Sequence, residues 1–329
     1  MLDVLLQLGL FSAKAIITVV MILGLLAGII ALLSKGKSLS SGNIHIKNLN
    51  LKFHDIAEQL NAEILTKKAY KKWVKETEKA SKDKPDQPNV FVLNFDGDLK
   101  ASAANALREE VTAIIGIAKP GDEVVLRLES GGGMVHGYGL AAAQLARLRD
   151  KGIPLTVSVD KIAASGGYLM AVVANKILAA PFAIIGSIGV LVQLPNFNRL
   201  LKDKHIEFEQ LTAGDYKRTL TMFGHNTEEG REKLQEEIEA IHGLFKHSIQ
   251  TYRPQCDVER IATGEHWVGT QAFDLRLVDE IKTSDAYLLA KNDTTNLYEI
   301  TYQAKKSLGQ KLFAVAQAFQ ARYAAGFWF

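Results

Sequence analysis

Ser165 lies in the run Ala163-Ala164-Ser165-Gly166-Gly167-Tyr168, a reactive hydroxyl held between alanines and glycines. Small neighbours let a substrate backbone come close to its oxygen. Residues 154–159 (PLTVSV) read as a strand and residues 168–174 (YLMAVVA) as a buried helix, so the serine stands on a strand-to-helix turn. The N–H groups just after it open that helix. They lack intrahelical acceptors and carry its positive dipole end, which suits a developing oxyanion. A serine so placed can act as the nucleophile of an acyl transfer. Tight helix–strand packing explains the same small residues equally well.

A second glycine-rich turn, Ser130-Gly131-Gly132-Gly133, follows the strand at residues 123–128. It lacks the spacing of a dinucleotide fingerprint, and no Gly-Lys-Ser/Thr follows to make a P-loop. Its glycines suit a backbone that lies against a substrate chain and donates an N–H to a reacting carbonyl. A plain tight turn is the alternative.

A serine hydroxyl needs a base. No histidine occurs between His136 and His205, but His136 follows the glycine turn closely. Lys161 precedes Ser165 by four residues, on a strand-end loop that faces it to solvent. Lys217, in Gly214-Asp215-Tyr216-Lys217-Arg218, stands beside an aromatic ring and a second cation. Burial and a neighbouring positive charge both favour the neutral amine, the form that accepts a proton. Ser187, in Gly186-Ser187-Ile188-Gly189-Val190, is a lone hydroxyl in an apolar turn and needs a partner. It can orient the Lys217 amine or cap the backbone.

These residues need elements to position them. Strands at 90–95, 123–128, 154–159 and 176–180 alternate with helices at 101–118, 140–150 and 165–175. That is an α/β chain with a mostly parallel sheet, whose ligands gather at the carboxyl ends of the strands. Both glycine turns lie at such ends. With 47% hydrophobic and 23% charged residues, the 329-residue chain is composed like a folded protein. A net charge of +3, from 39 basic and 36 acidic residues, argues against nucleic acid as a partner. The single cysteine, Cys256, excludes an intrachain disulfide and a cysteine-based metal cluster. The eight histidines lack ligand spacing, so neither a metal nor another cofactor is expected.

Residues 15–33 (AIITVVMILGLLAGIIALL) form 19 positions without a charge, bracketed by Lys14 and Lys35. About 20 apolar residues span a bilayer core, so a transmembrane anchor is expected. No small-residue cleavage site follows. Lys35, Lys37, Lys47 and Lys52 bias the following chain to the cytoplasmic side. Residues 67–84 read as a solvated Lys/Glu helix that runs into Pro85 and Pro88. The chain thus divides into an anchor (1–37), a helical membrane-proximal region (38–88), a main domain (89–285) and a C-terminal extension (286–329). Within the extension, residues 311–329 have the period of an amphipathic helix ending Phe327-Trp328-Phe329.

In their order along residues 90–281, these segments resemble the signal peptide peptidase A family of serine–lysine proteases, in its SohB branch. Glu129-Ser130-Gly131-Gly132-Gly133-Met134-Val135 is similar to the family's Ser-Pro-Gly-Gly turn, and Ala164-Ser165-Gly166-Gly167-Tyr168 to its nucleophile segment. Gly186-Ser187-Ile188-Gly189-Val190 and Gly214-Asp215-Tyr216-Lys217 are similar to the segments that follow, the latter to the one with the general base. Gly264-Glu265-His266-Trp267-Val268-Gly269, Ala272 and Leu277-Val278-Asp279 are similar to the closing segment. The anchor and charged helix match the extra N-terminal region of that branch. Two departures are Gly131, where the wider family often has proline, and Arg218, where it often has a small or acidic residue.

The resemblance implies Ser165 as acyl-forming nucleophile and Lys217 as general base, then general acid to the leaving amine. It implies Ser187 as the holder of the lysine amine. The backbone N–H groups of Gly132 and Gly166 would form the oxyanion hole, a term of roughly 3–4 kcal/mol per donor in other serine proteases. The implied fold is one of repeated ββα units, as in crotonases and the Clp protease. A ring-shaped homo-oligomer is implied, in which serine and lysine can come from adjacent subunits. The implied substrates are unfolded or apolar peptides, such as signal peptide remnants, at a bacterial inner membrane. Relatives usually work on its periplasmic side, against the cytoplasmic charge bias. Two rivals are a crotonase-type acyl-CoA enzyme, which needs oxyanion donors but no nucleophile, and a non-catalytic membrane scaffold.

The tail at 311–329 should pack on a neighbouring subunit or touch the bilayer interface. Its deletion is expected to change either oligomer size on gel filtration or recovery with liposomes on flotation.

Overall fold

The structure, a computed structural model, describes residues 42–82 and 87–304 together with scattered positions between 9 and 28. Two compact units are distinguished, His45–Thr301 and a smaller one combining Met1–Ile44 with Tyr302–Phe329. In the smaller unit the Gly42 N–H donates to the Tyr302 hydroxyl at 2.9 Å. Among the described residues no helix is long and apolar enough to cross a membrane. Most of the apolar run at 15–33, and all of the tail at 311–329, lie outside the described residues.

The chain enters through β1 (Asn43–Asn48), α1 (Leu49–Ile64) and α2 (Lys67–Lys82). Asn48 caps α1 by accepting from the Leu51 N–H. The alternation then begins: β2 (Asn89–Gly97), α3 (Ala104–Ile117), β3 (Glu123–Ser130), α4 (Val135–Asp150), β4 (Leu155–Val159), β5 (Ile162–Ala164), α5 (Gly166–Val172), β6 (Lys176–Ala179) and β7 (Ile184–Gly186). After the short α6 (Asn198–Asp203) comes the long α7 (Glu228–Tyr252). The unit closes with α8 (Val258–Ile261), β8 (His266–Val268), α9 (Gly269–Asp274), β9 (Glu280–Ile281), α10 (Ser284–Lys291) and β10 (Asn296–Gln303).

The strands lie side by side in the order β1-β10-β2-β3-β4-β6-β9, with β5 branching from β3 to pair with β7, and β7 with β8. The pairings from β10 through β9, and those of β5, are parallel; β7 and β8 are antiparallel. The mixed α/β class expected from the alternation is therefore the one observed. The β4–β5–α5 unit supplies a full ββα arrangement, and β6–β7 repeats its strand pair.

Side-chain alternation in β2 builds both faces of the sheet. Phe91, Leu93 and Phe95 enter the main core with Leu107, Val111 and Ile114 of α3 and Leu145 and Leu148 of α4. Val90 and Val92 enter a second cluster with Leu49, Leu288 and Leu297. Both faces are covered, as a parallel sheet requires. Asn50 ties the start of α1 to the end of the chain. Its amide donates to the Asn292 and Thr295 carbonyls and accepts from the Leu297 N–H.

Helix α4 starts at Val135, five residues ahead of the expected 140. Gly137 and Gly139 weaken its first turns by propensity, but the backbone at Gly137 packs against the Lys100 carbonyl, where a methyl group would lie 2.8 Å away. Tertiary contact overrides propensity there.

An ion pair between a buried arginine and a partly exposed aspartate ties the end of α7 to the segment before β9. Arg253 caps α7 and donates to both Asp279 oxygens at 2.7 and 2.8 Å and to the Arg276 carbonyl at 2.9 Å. Asp279 also accepts from the Ile177 N–H of β6. Arg253 is buried, so removing its partner leaves a buried charge unpaired. Asp279→Ala is expected to lower unfolding free energy by about 3 kcal/mol, read as a lower urea midpoint at unchanged slope.

Candidate active site

Ser165 follows β5 directly and caps α5. Its backbone sits at φ 51°, ψ −121°, a region that L-residues rarely occupy. Such strain costs on the order of 1–3 kcal/mol and persists only where the surroundings impose it. Here the Ser165 N–H donates to the Gly186 carbonyl at 2.8 Å, and its carbonyl accepts from the Leu169 N–H at 3.0 Å. The glycines behind it are there for close approach. A methyl group on Gly166 would lie 2.5 Å from the Tyr138 ring, and one on Gly167 would lie 2.5 Å from the Ser130 carbonyl. Gly166 opens α5, so its N–H has no intrahelical acceptor.

Ser187 has the same φ of 51°. The parallel register of β5 and β7 pairs Ala164 with Gly186, so Ser165 and Ser187 are the residues immediately after a paired position. The Ser187 N–H donates to the Glu265 carbonyl at 2.6 Å, which fixes its turn. Sequence motifs twenty residues apart are thus neighbours in space.

Gly132 comes from the third segment, after β3. Its φ of +87° suits glycine, and a methyl group there would lie 2.8 Å from the Ala164 carbonyl, the Gly166 nitrogen and Ser165 Cβ. The two backbones that carry the expected oxyanion donors therefore touch. The Gly132 N–H already has an acceptor in this free chain, the Ser130 hydroxyl at 3.0 Å. Ser130 Oγ is in turn 2.6 Å from the Tyr138 hydroxyl, which donates to the Asp98 carbonyl at 2.8 Å. Burial pushes the Tyr138 phenol above its ordinary value, and it stays protonated. Sequence reading missed Ser130, Tyr138 and Asp98. An isolated tyrosine eight residues after a serine is not a recognisable pattern, and only the fold joins them.

The candidate bases separate clearly. Lys161 is exposed and pairs with Glu129 at 2.9 Å; that carboxylate raises its pKa and keeps it charged. His136 is exposed on the first turn of α4. Lys217 lies in a turn closed by its N–H on the Gly214 carbonyl at 3.1 Å, and its residue is exposed. Among the described residues no hydrogen bond joins its amine to Ser165 or Ser187. The structure of one chain brings Ser165, Ser187, Gly132 and Gly166 together and leaves Lys217 at the surface. Cys256 is buried and its thiol is pushed up by that burial, so it offers no rival thiolate.

Gly132→Ala both strains the positive φ and drives a methyl into the Ser165 turn. On the oxyanion role that the resemblance implies for Gly132, it is expected to cut peptide hydrolysis by about a hundredfold, the scale of losing one such donor, in steady-state assays on full-length protein that still melts cooperatively.

The chain is similar to known proteins over most of its length. Residues 3–145 match Peptidase family S49 N-terminal, and residues 147–297 match Peptidase family S49. The "Probable protease SohB" of Haemophilus influenzae is 46% identical over 94% of this chain and 92% of its own length. Its namesake in Buchnera aphidicola subsp. Acyrthosiphon pisum is 56% identical over 70% of this chain and 69% of its own. That of Buchnera aphidicola subsp. Schizaphis graminum is 49% identical over 88% and 87%. Among solved structures, the 1510-N membrane-bound stomatin-specific protease in complex with a substrate peptide aligns at a TM-score of 0.43 and 13% identity, over 70% of this chain and 99% of that one. On the extent and identity of the sequence matches, the chain belongs to peptidase family S49, in its SohB branch.

Proposed function

We propose that this peptidase is a membrane-anchored serine endopeptidase that uses Ser165 as nucleophile and Lys217 as base. The observation that carries the reading is the strained Ser165 turn, packed backbone to backbone against Gly132 and flanked by Ser187. Ser165 Oγ attacks the scissile carbonyl carbon while its proton passes to Lys217 Nζ. The oxyanion is met by the N–H groups of Gly132 and Gly166. Lys217 Nζ then protonates the leaving amine; neutral again, it takes a proton from the water that attacks the acyl carbon and returns it to Ser165 Oγ as the acid product leaves.

The exposed position of Lys217 favours completion of the site by a second copy. Leu191, Leu194, Phe197, Phe208 and Leu211 are exposed along the same segment. A neighbouring subunit seated on them would bury this apolar surface and take water from the lysine, which favours its neutral form. Leu99, Met134 and Val135 are exposed beside the glycine turn, where Met134 donates its N–H to the Leu99 carbonyl. That rim suits unfolded or apolar peptides, such as signal peptide remnants. The apolar run at 15–33 would tether the enzyme to the bilayer where such peptides arise.

Ser165→Ala and Lys217→Ala are each expected to lower hydrolysis of an apolar peptide by about 10³-fold or more. Wild-type rate should rise towards alkaline pH, because only the unprotonated amine accepts the serine proton. That limb should vanish in Lys217→Ala. Mixing the two inactive variants should restore activity, since a shared site combines the intact serine of one copy with the intact lysine of another. Hydrolysis that survives Ser165→Ala would instead favour crotonase-type chemistry on oxyanion donors alone.

A further inference from the structure

We propose that Ser130 and Tyr138 are positioning residues that hold the Gly132 N–H in reserve for the oxyanion; the proposal rests on the serine-protease reading above. The hydrogen-bond directions follow from the inventory of donors. Tyr138 has one hydroxyl hydrogen, and the Asp98 carbonyl at 2.8 Å can only accept it. The 2.6 Å contact between Tyr138 and Ser130 must then be donated by Ser130. One of its two lone pairs accepts the Gly132 N–H at 3.0 Å. The links run one way, from Gly132 through Ser130 and Tyr138 to Asp98, and each polarises the next.

The relay is built into the fold. Ser130 and Tyr138 are both buried, and Ser130 ends β3 opposite Ala163, two residues before Ser165. The two hydroxyls fit only because Gly97 has no side chain, since a methyl group there would overlap both. The Tyr138 ring lies against Gly166, so one side chain touches both segments that carry the expected oxyanion donors.

The arrangement discriminates between states of the substrate. In the free enzyme Ser130 satisfies an N–H that would otherwise be left unpaired. A neutral substrate carbonyl competes poorly for that N–H, because it offers only an exchange of similar hydrogen bonds. A tetrahedral oxyanion competes well, because a charge-assisted bond is roughly twice as strong. The donor therefore changes partner between ground state and transition state, and only the charged oxygen displaces Ser130.

Two full-length variants test this in parallel with Ser165→Ala. Tyr138→Phe keeps the ring against Gly166 and removes the hydroxyl. Ser130→Ala frees the Gly132 N–H. In Tyr138→Phe, kcat per site titrated with a fluorophosphonate is expected to fall about tenfold with KM unchanged. In Ser130→Ala, KM is expected to fall with kcat little changed, because the released N–H now binds the ground-state carbonyl as well as the oxyanion. The alkaline limb should keep its position in both, because the base is untouched. Unchanged KM in Ser130→Ala would overturn the proposal, as would a loss in Tyr138→Phe that only tracks the fraction of titratable sites. If Ser165→Ala keeps full hydrolysis, the serine reading itself falls, and the positioning role falls with it.

Discussion

Backbone must touch backbone for this site to exist, and that contact depends on missing Cβ atoms around one buried ring. Tyr138 lies under the site with Gly97, Gly166 and the Ser130 hydroxyl against it. Gly132 presses on Ala164, Ser165 and Gly166 from the other strand end. The parallel pairing of Ser130 with Ala163 joins the ends of β3 and β5, and Gly132 brings the following backbones into contact. The glycines supply the space and the tyrosine supplies the stiffness, so the strained Ser165 backbone has nowhere to relax. The remaining architecture, a sheet covered on both faces, delivers these segments to one edge.

Long buried strands were readable because their signal is long. The run at 90–95 is apolar except for Asn94, that at 123–128 except for Glu123 and Arg127, and both appear as central parallel strands. Strands β5, β7 and β8 are each three residues long and carry no period that a window could detect. They form the branch that sets Ser165 beside Ser187, so the motifs were visible while their adjacency was not. Strand β1 was equally silent, since Ile44 and Ile46 are both exposed and the edge shows no buried face. The start of α4 was hidden by glycines whose reason is tertiary.

At the site, residue types were legible and relations were not. Ser165, Ser187, Gly132 and Gly166 were each marked by local composition, and the fold gathers them. The Ser130–Tyr138–Asp98 relay has no linear signature because its links span 8 and 40 positions. Lys217 was singled out for an aromatic neighbour and an adjacent cation. In the single chain Tyr216 is itself exposed and stands under Lys233 at 5.2 Å, so the expected apolar cover for the lysine is not local.

Ser165 and Ser187 share a φ of 51°, which selects among hydroxyls before chemistry does. At φ 51° a second branch on Cβ would crowd the preceding carbonyl, and β-branched residues are genuine outliers there. Threonine, with an equivalent oxygen, is therefore shut out of both positions by geometry alone. The identity of the hydroxyl-bearing residue at this centre is a property of the turn.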